Sequence, residues 1–256
     1  MSFLVLTIIL ATTIQAQHHH DEELHFSHPL ITESPSPDTK VRFDYFYRRF
    51  RAERTSEHSP RVEFEYAFKP SFSVEVNLPY TFRKVEGEPT VSHAESMDVA
   101  IKLTSSAFKE DHVLLVYGVE FGLPTGSEKE IGSSHLVEMA PYFGAGLKKE
   151  KLEVVGFSSV GFVMNRRTND EEATRLGYQL SFLFKPNPTI QPLIEIDGET
   201  GVSGRERGNT VVNLSPGIKF RPLHSEHWQL GAGVGFPVTS RHEFSSRVVV
   251  SAFYHF

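Results

Sequence analysis

The sequence predicts an all-β fold, a transmembrane antiparallel up-and-down β-barrel of about 12 strands. Three observations carry this. From Val41 to Phe256 apolar residues recur with period two, and no window shows a helical period. The alternating segments run to roughly 8–13 residues, longer than the ~5–6 of soluble sheets and near the ~9–11 that cross a bilayer at a tilt. The connections alternate between short and long, as they do in barrels with short periplasmic turns and longer extracellular loops.

Composition agrees and excludes other classes. The 256 residues contain no Cys, which removes disulfide scaffolds, thiolate nucleophiles and Cys-based metal sites. Lys and Arg total 26 against 32 Asp and Glu, a formal charge of -6, so the chain lacks the basic footprint of a nucleic-acid binder. A mean hydropathy of -0.26 is too polar for a helical membrane protein, while barrel strands are apolar on one face only.

In chain order, Ser2 to Ile14 form an apolar run ending at the small residue Ala16. This matches a secretory signal peptide over 1–16, removed on export, and it is too short to span a bilayer as a helix. Residues 17–40 then read as an N-terminal periplasmic or plugging segment. His18, His19, His20, Asp21 and His25 lie within it. Imidazoles suit transition metals, but adjacent residues in an unfolded leader rarely make one fixed coordination sphere, so no metal and no cofactor is expected.

The barrel occupies 41–256. Its strand candidates are 41–51, 61–68, 72–82, 95–104, 113–123, 136–147, 152–164, 175–185, 190–198, 210–221, 228–237 and 246–256. In the second, Val62, Phe64, Tyr66 and Phe68 fall on one face, and Arg61, Glu63 and Glu65 on the other. The outer loops are then Ala52 to Pro60, Arg83 to Ala94, Pro124 to His135, Asn165 to Thr174, Glu199 to Asn209 and Val238 to Ser245. Every one of them is at least as long as the longest inner turn, Ser105 to His112. A soluble β-sandwich has no reason to keep that order, and a soluble periplasmic β-sandwich or lipocalin-like binder stands as the reading from a different class. The last strand alternates Val248, Val250, Ala252, Tyr254 and Phe256 on one face, and the terminal aromatic resembles the signal read by the barrel assembly machinery, with Tyr254 and Phe256 as its residues.

If the apolar face meets outer-membrane lipid, the lumen receives Arg42, Asp44, Arg48, Arg61, Glu63, Glu65, Glu75, Asp98, Lys102, Glu120, Glu138, Glu195, Asp197, Lys219 and Arg247. Charges of both signs there are expected to pair across the lumen and narrow it. Inward Gly231, Gly233 and Gly235, with Gly144 and Gly146 elsewhere, allow a bend or the close approach of an internal plug. Inward Phe46, Leu183, Val249 and Phe253 offer an apolar path. Ser133 and His135 lie two apart near the outer rim, where lipid hydrolases place a nucleophile and base, but nothing nearby supplies the orienting third group. No catalytic residue is therefore expected.

Short motifs add a resemblance over nearly the whole mature chain. Ser27-His28-Pro29-Leu30-Ile31-Thr32-Glu33, Leu78-Pro79-Tyr80, Asp98-Val99-Ala100-Ile101-Lys102, Leu123-Pro124-Thr125-Gly126, Leu214-Ser215-Pro216-Gly217 and Gly233-Val234-Gly235-Phe236-Pro237 are similar to motifs of the bacterial outer-membrane transporter family of the meta-pathway of phenol degradation. The family's Gly-Asp pair entering the fourth strand is replaced here by Ser96-Met97 before Asp98. The resemblance implies an outer-membrane channel for passive uptake of small hydrophobic or aromatic solutes, with His28, Pro29, Leu30, Thr32 and Glu33 as the N-terminal motif. The alternatives are a plugged or structural outer-membrane barrel and an outer-membrane lipid hydrolase.

Overall fold

The computed structural model describes residues 24–50, 54–108, 112–126, 136–164, 174–204, 206–222, 225, 227–242 and 244–256. The expected signal peptide, His18 to Asp21, and the Ser133/His135 pair lie outside them. No helix occurs among the described residues. Thirteen strands do: β1 Lys40–Phe50, β2 Thr55–Lys69, β3 Phe72–Val85, β4 Val91–Ala94, β5 Met97–Phe108, β6 Val113–Leu123, β7 Glu138–Lys149, β8 Leu152–Val163, β9 Arg175–Phe184, β10 Ile190–Gly201, β11 Thr210–Phe220, β12 Trp228–Pro237 and β13 Ser246–His255.

Leaving β4 aside, each strand pairs antiparallel with its neighbour in sequence, β3 with β5 included, and β13 pairs with β1, so the sheet closes on itself. Twelve strands make the wall. The short β4 is additional, pairing only with Tyr80 to Arg83 of β3, beyond the stretch of β3 that pairs with β5. Closure leaves no unpaired sheet edge, which is the condition for a strand structure to sit in hydrocarbon.

Alternation along each strand sorts the side chains into two solvents. Outward positions carry exposed apolar groups, such as Phe64 at 47% and Ile218 at 49% relative exposure, while their inward neighbours are buried polar groups. Phe68, Phe72, Phe184, Phe220, Trp228 and Tyr254 sit at strand ends beside the short turns. They form one aromatic girdle of the kind found at membrane interfaces. Trp228 meets Tyr254 edge-on at 5.1 Å between ring centroids, and Tyr254 meets Phe256 at 5.0 Å.

Most strand bounds fall within two residues of expectation. The exceptions lie at the long-loop end, apart from the end of β5, which runs into the expected inner turn Ser105 to His112. The expected outer loop Ala52 to Pro60 contracts to 51–54, because β2 begins at Thr55 rather than Arg61 and pairs in register with β1 along its length. Ser, Glu, His and Pro in that stretch have the composition of a loop, yet each finds a place in the ladder. Inward Glu57 accepts from Arg48 at 2.8 Å and Ser59 shares a hydrogen bond with Thr81. Outward His58 packs on Tyr47, ring centroids 5.0 Å apart. The strict ordering of long and short connections is therefore broken at this hairpin. β3 and β5 also run on, to Val85 and Phe108. Lys40, placed in the N-terminal segment by sequence, is the first residue of β1.

Candidate functional site: the barrel lumen

The inward face of β1 carries Lys40, Arg42, Asp44, Phe46 and Arg48, and β2 answers with Glu57, Ser59, Arg61, Glu63 and Glu65. Unpaired, such charges would be costly to bury; here they form ion pairs with one another. Lys40 bridges Glu63 and Glu65. Lys102 on β5 reaches Glu65 at 3.0 Å and Glu75 at 3.8 Å. Asp44 accepts from Arg42 at 2.9 Å, from Arg61 at 2.6 Å and from Ser251 of β13. Farther round the wall Arg247 of β13 holds Asp197 of β10.

Residues 24–39 enter this lumen from the short-turn end without forming a helix or strand. A buried backbone must place its hydrogen bonds somewhere, and here they go to the wall. Glu195 accepts the N–H groups of Leu30, Ile31 and Thr32 at 3.1, 3.0 and 2.8 Å. Glu153 accepts that of Ser27 at 3.0 Å, and Gln179 that of Glu33 at 3.2 Å. In the other direction Arg42 donates to the Leu30 carbonyl, Lys219 to that of His28 and Lys148 to that of His25.

Two apolar anchors complete the docking. Leu30 packs with Phe46, Leu183, Leu193, Val249 and Phe253. Glycines make room for it: a Cβ on Gly231 would lie 2.4 Å from Leu30 Cδ2, and one on Gly217 would lie 2.9 Å from Cδ1. Phe26 fits against Leu114, Val116, Val155 and Phe157, over Gly146, where a Cβ would meet its ring at 2.7 Å. The apolar residues read from sequence as a path thus pack in one cluster with Leu30, and Phe46 also reaches the cavity above it.

Above the segment, toward the long loops, lies a cavity of about 490 Å³. Its floor includes Ile31 and Glu33, and Phe46, Tyr142, Phe157, Tyr178 and Phe244 supply aromatic surface. The carboxylates of Glu33, Glu75, Glu95, Asp98, Glu120, Asp197 and Glu199 outnumber the cations Arg48, Arg61, Lys102 and Arg247 around it.

Of the charges placed inward from sequence, Arg42, Asp44, Glu63, Glu65, Glu75, Lys102, Glu195, Lys219 and Arg247 are buried. Arg48, Arg61, Asp98, Glu120 and Asp197 face the cavity. Glu138 lies on the same face of β7 as Ala140 and Tyr142, one step nearer the rim. Asp44, Arg42 and Arg61 come together, as do Glu65, Glu75 and Lys102. Glu195 and Lys219 belong instead to the docked segment. Sequence reading missed Lys40, Glu153, Gln179, Asp38 and His255. Parity was the available signal for Lys40, two before Arg42, and for Glu153, between outward Leu152 and Val154.

In the N-terminal motif His28, Leu30 and Thr32 are buried, with Glu33 at the cavity floor. Burial, with Lys40 close by, holds His28 well below the usual imidazole range despite its bond to Asp38, so its ring is neutral at neutral pH. Asp38 is held ionised against burial by the surrounding imidazoles: His28 and His255 lie at hydrogen-bond distance and His25 stands 3.6 Å away.

A closed, even-stranded antiparallel wall with an apolar outside, an aromatic girdle and a charged inside defines a β-barrel of the outer-membrane type. No family model matches the sequence. No curated protein matches it either. Solved structures share the fold. An outer membrane channel from Pseudomonas putida F1 superposes with a TM-score of 0.66 at 12% identity, over 92% of this chain and 98% of that one. The KdgM porin gives 0.57 at 13% identity, over 84% and 99%. The NanC porin gives 0.57 at 7% identity, over 85% and 98%.

Proposed function

We propose that the chain is an outer-membrane channel for passive uptake of small hydrophobic or aromatic solutes, closed by residues 24–39 and opened when they leave the lumen. The short turns face the periplasm and the long loops the exterior, the usual arrangement of such barrels. One observation carries the reading: the lumen is obstructed by a segment held through reversible polar contacts and two side-chain anchors, beneath a cavity that opens toward the long loops. The solute class is supported by the motif resemblance and by the aromatic wall of the cavity.

The test compares the full chain with a version lacking 24–38. Both are taken from outer membranes and run unheated and heated on a denaturing gel, then followed for single-channel conductance and for flux of phenol-sized aromatics into vesicles. Heat-modified migration of both, with flux much greater in the shortened form, is the expected result. A folded barrel without flux in either form refutes the channel. It would favour a structural barrel, a reading encouraged by the density of hydrogen bonds between segment and wall. Flux of sugars or ions without aromatics would refute the solute class alone.

A further inference from the structure

At the short-turn end three imidazoles converge on one oxygen atom. His28 Nε2 lies 3.1 Å, His25 Nε2 3.6 Å and His255 Nδ1 2.6 Å from Asp38 Oδ2. A carboxylate oxygen has room for about two donors, so three nitrogens oversubscribe it. His255 also keeps its Nε2 buried without a hydrogen-bond partner. The donor atoms of His25, His28 and Asp38 all lie within 4.8 Å of one another.

We propose that His25, His28, Asp38 and His255 form a binding site for a divalent transition metal of the zinc class, which fastens the N-terminal segment to the last strand of the barrel. Three imidazoles and a carboxylate are a donor set that Zn²⁺ takes in tetrahedral geometry. With metal–ligand bonds of about 2.0–2.1 Å, ligand atoms in a tetrahedron stand about 3.3 Å apart. The His28 and His25 nitrogens already stand close to that distance from Asp38 Oδ2, whereas His255, which lies outside the 4.8 Å group of these three, must draw back from Asp38 Oδ2 and close on at least one of the other two imidazoles to become the fourth ligand.

The surroundings hold these ligands in place. The Thr39 N–H donates to Asp38 Oδ1 at 2.8 Å, leaving Oδ2 for the site. Lys219 fixes the His28 carbonyl, and Lys148 donates to that of His25 at 3.1 Å. His28 is buried, and its ring stands 5.5 Å from that of His255 between centroids. The inference does not depend on transport, since metal binding can be read in a closed barrel. It departs from the expectation of no metal, which rested on the leader. Of the leader histidines only His25 is used.

The experiment uses the chelator-treated full chain in detergent and, as background, the same chain carrying His18→Ala, His19→Ala and His20→Ala. Each is titrated with Zn²⁺ by calorimetry and with Co²⁺ by visible absorption. One site per chain should survive the triple replacement, with a tetrahedral-type Co²⁺ spectrum. His25→Ala and Asp38→Asn, each made in that background, should weaken binding by at least about 10- to 100-fold, the loss seen when even outer-shell partners of a metal are altered. The His25 side chain is 56% exposed, so its truncation leaves the barrel folded, as heat-modified migration checks. Zn²⁺ should also slow amide exchange across 24–39 in the background chain and not in its His25→Ala form. Loss of all binding with the triple replacement overturns the proposal, as does binding that neither His25→Ala nor Asp38→Asn affects.

Discussion

Glu195→Ala is the sharpest perturbation of the docked segment. One carboxylate takes three consecutive backbone donors, from Leu30, Ile31 and Thr32, at 2.8–3.1 Å. A hydrogen bond to a charged acceptor contributes about 1.5–3 kcal/mol, and at the low end three sum to roughly 4.5 kcal/mol. At about 1.4 kcal/mol per decade, the docked-to-undocked ratio falls by roughly a thousandfold. Glu195→Gln keeps one carbonyl oxygen and presents an N–H₂ to the third donor, so it should fall between the two. Hydrogen exchange at the three amides reads the effect directly, and single-channel recording reads it as time spent open. The order Ala, then Gln, then unmodified chain is expected in both. If the three amides keep their protection in Glu195→Ala, the segment is held by its apolar anchors, and the reasoning from the carboxylate is wrong.

Other substitutions test other links. Gly231→Ala drives a methyl group to within 2.4 Å of Leu30 Cδ2, so it should raise the open fraction without lowering barrel yield in the membrane; equal open fractions would show that Leu30 shifts at no cost. Leu30→Ala empties the same pocket at about 2–5 kcal/mol, and should raise exchange across 24–39 by at least tenfold. Lys102→Met leaves buried Glu65 and Glu75 short of a cation, a loss of about 3–5 kcal/mol that should appear as a lower urea midpoint. An unchanged midpoint would mean that water already reaches those carboxylates. Deleting Phe256, which is 62% exposed, should reduce assembled barrel in cells far more than it alters the stability of barrel refolded in detergent. An equal loss in both would assign it to packing rather than to an assembly signal.

The wall was legible because a strand between lipid and water must alternate, and Val62 to Phe68 and Val248 to Phe256 show that alternation without any partner being known. The ends of the strands were less so. Thr55 to Pro60 has the residues of a loop, and only its cross-strand partners Arg48, Tyr47 and Thr81 make it a strand. The docking of 24–39 was legible only indirectly, through the inward glycines. Its bonds span great sequence distances, Ser27 to Glu153 and Leu30 to Glu195, and a segment without secondary structure carries no period to read. The cluster around Asp38 was hidden for the same reason: His255 is the next-to-last residue, and nothing in the sequence ties it to His25 and His28.

The inward charges pair with one another around a lumen that residues 24–39 enter. They divide by depth. Glu153, Glu195, Lys219 and Arg42 act as hydrogen-bonding partners for a backbone that has no ladder of its own. Arg48, Asp98, Glu120, Asp197 and Arg247 face the cavity above it. On the proposed gating, substitution in the first set should change the free energy of docking and so the fraction of time the passage is closed. Substitution in the second leaves that equilibrium alone and changes the field and walls met by a solute. Asp98→Asn should therefore alter ion selectivity at an unchanged open fraction, and Glu153→Gln the open fraction at unchanged selectivity. A reversal of these two outcomes would show that the segment, and not the cavity above it, sets what can pass.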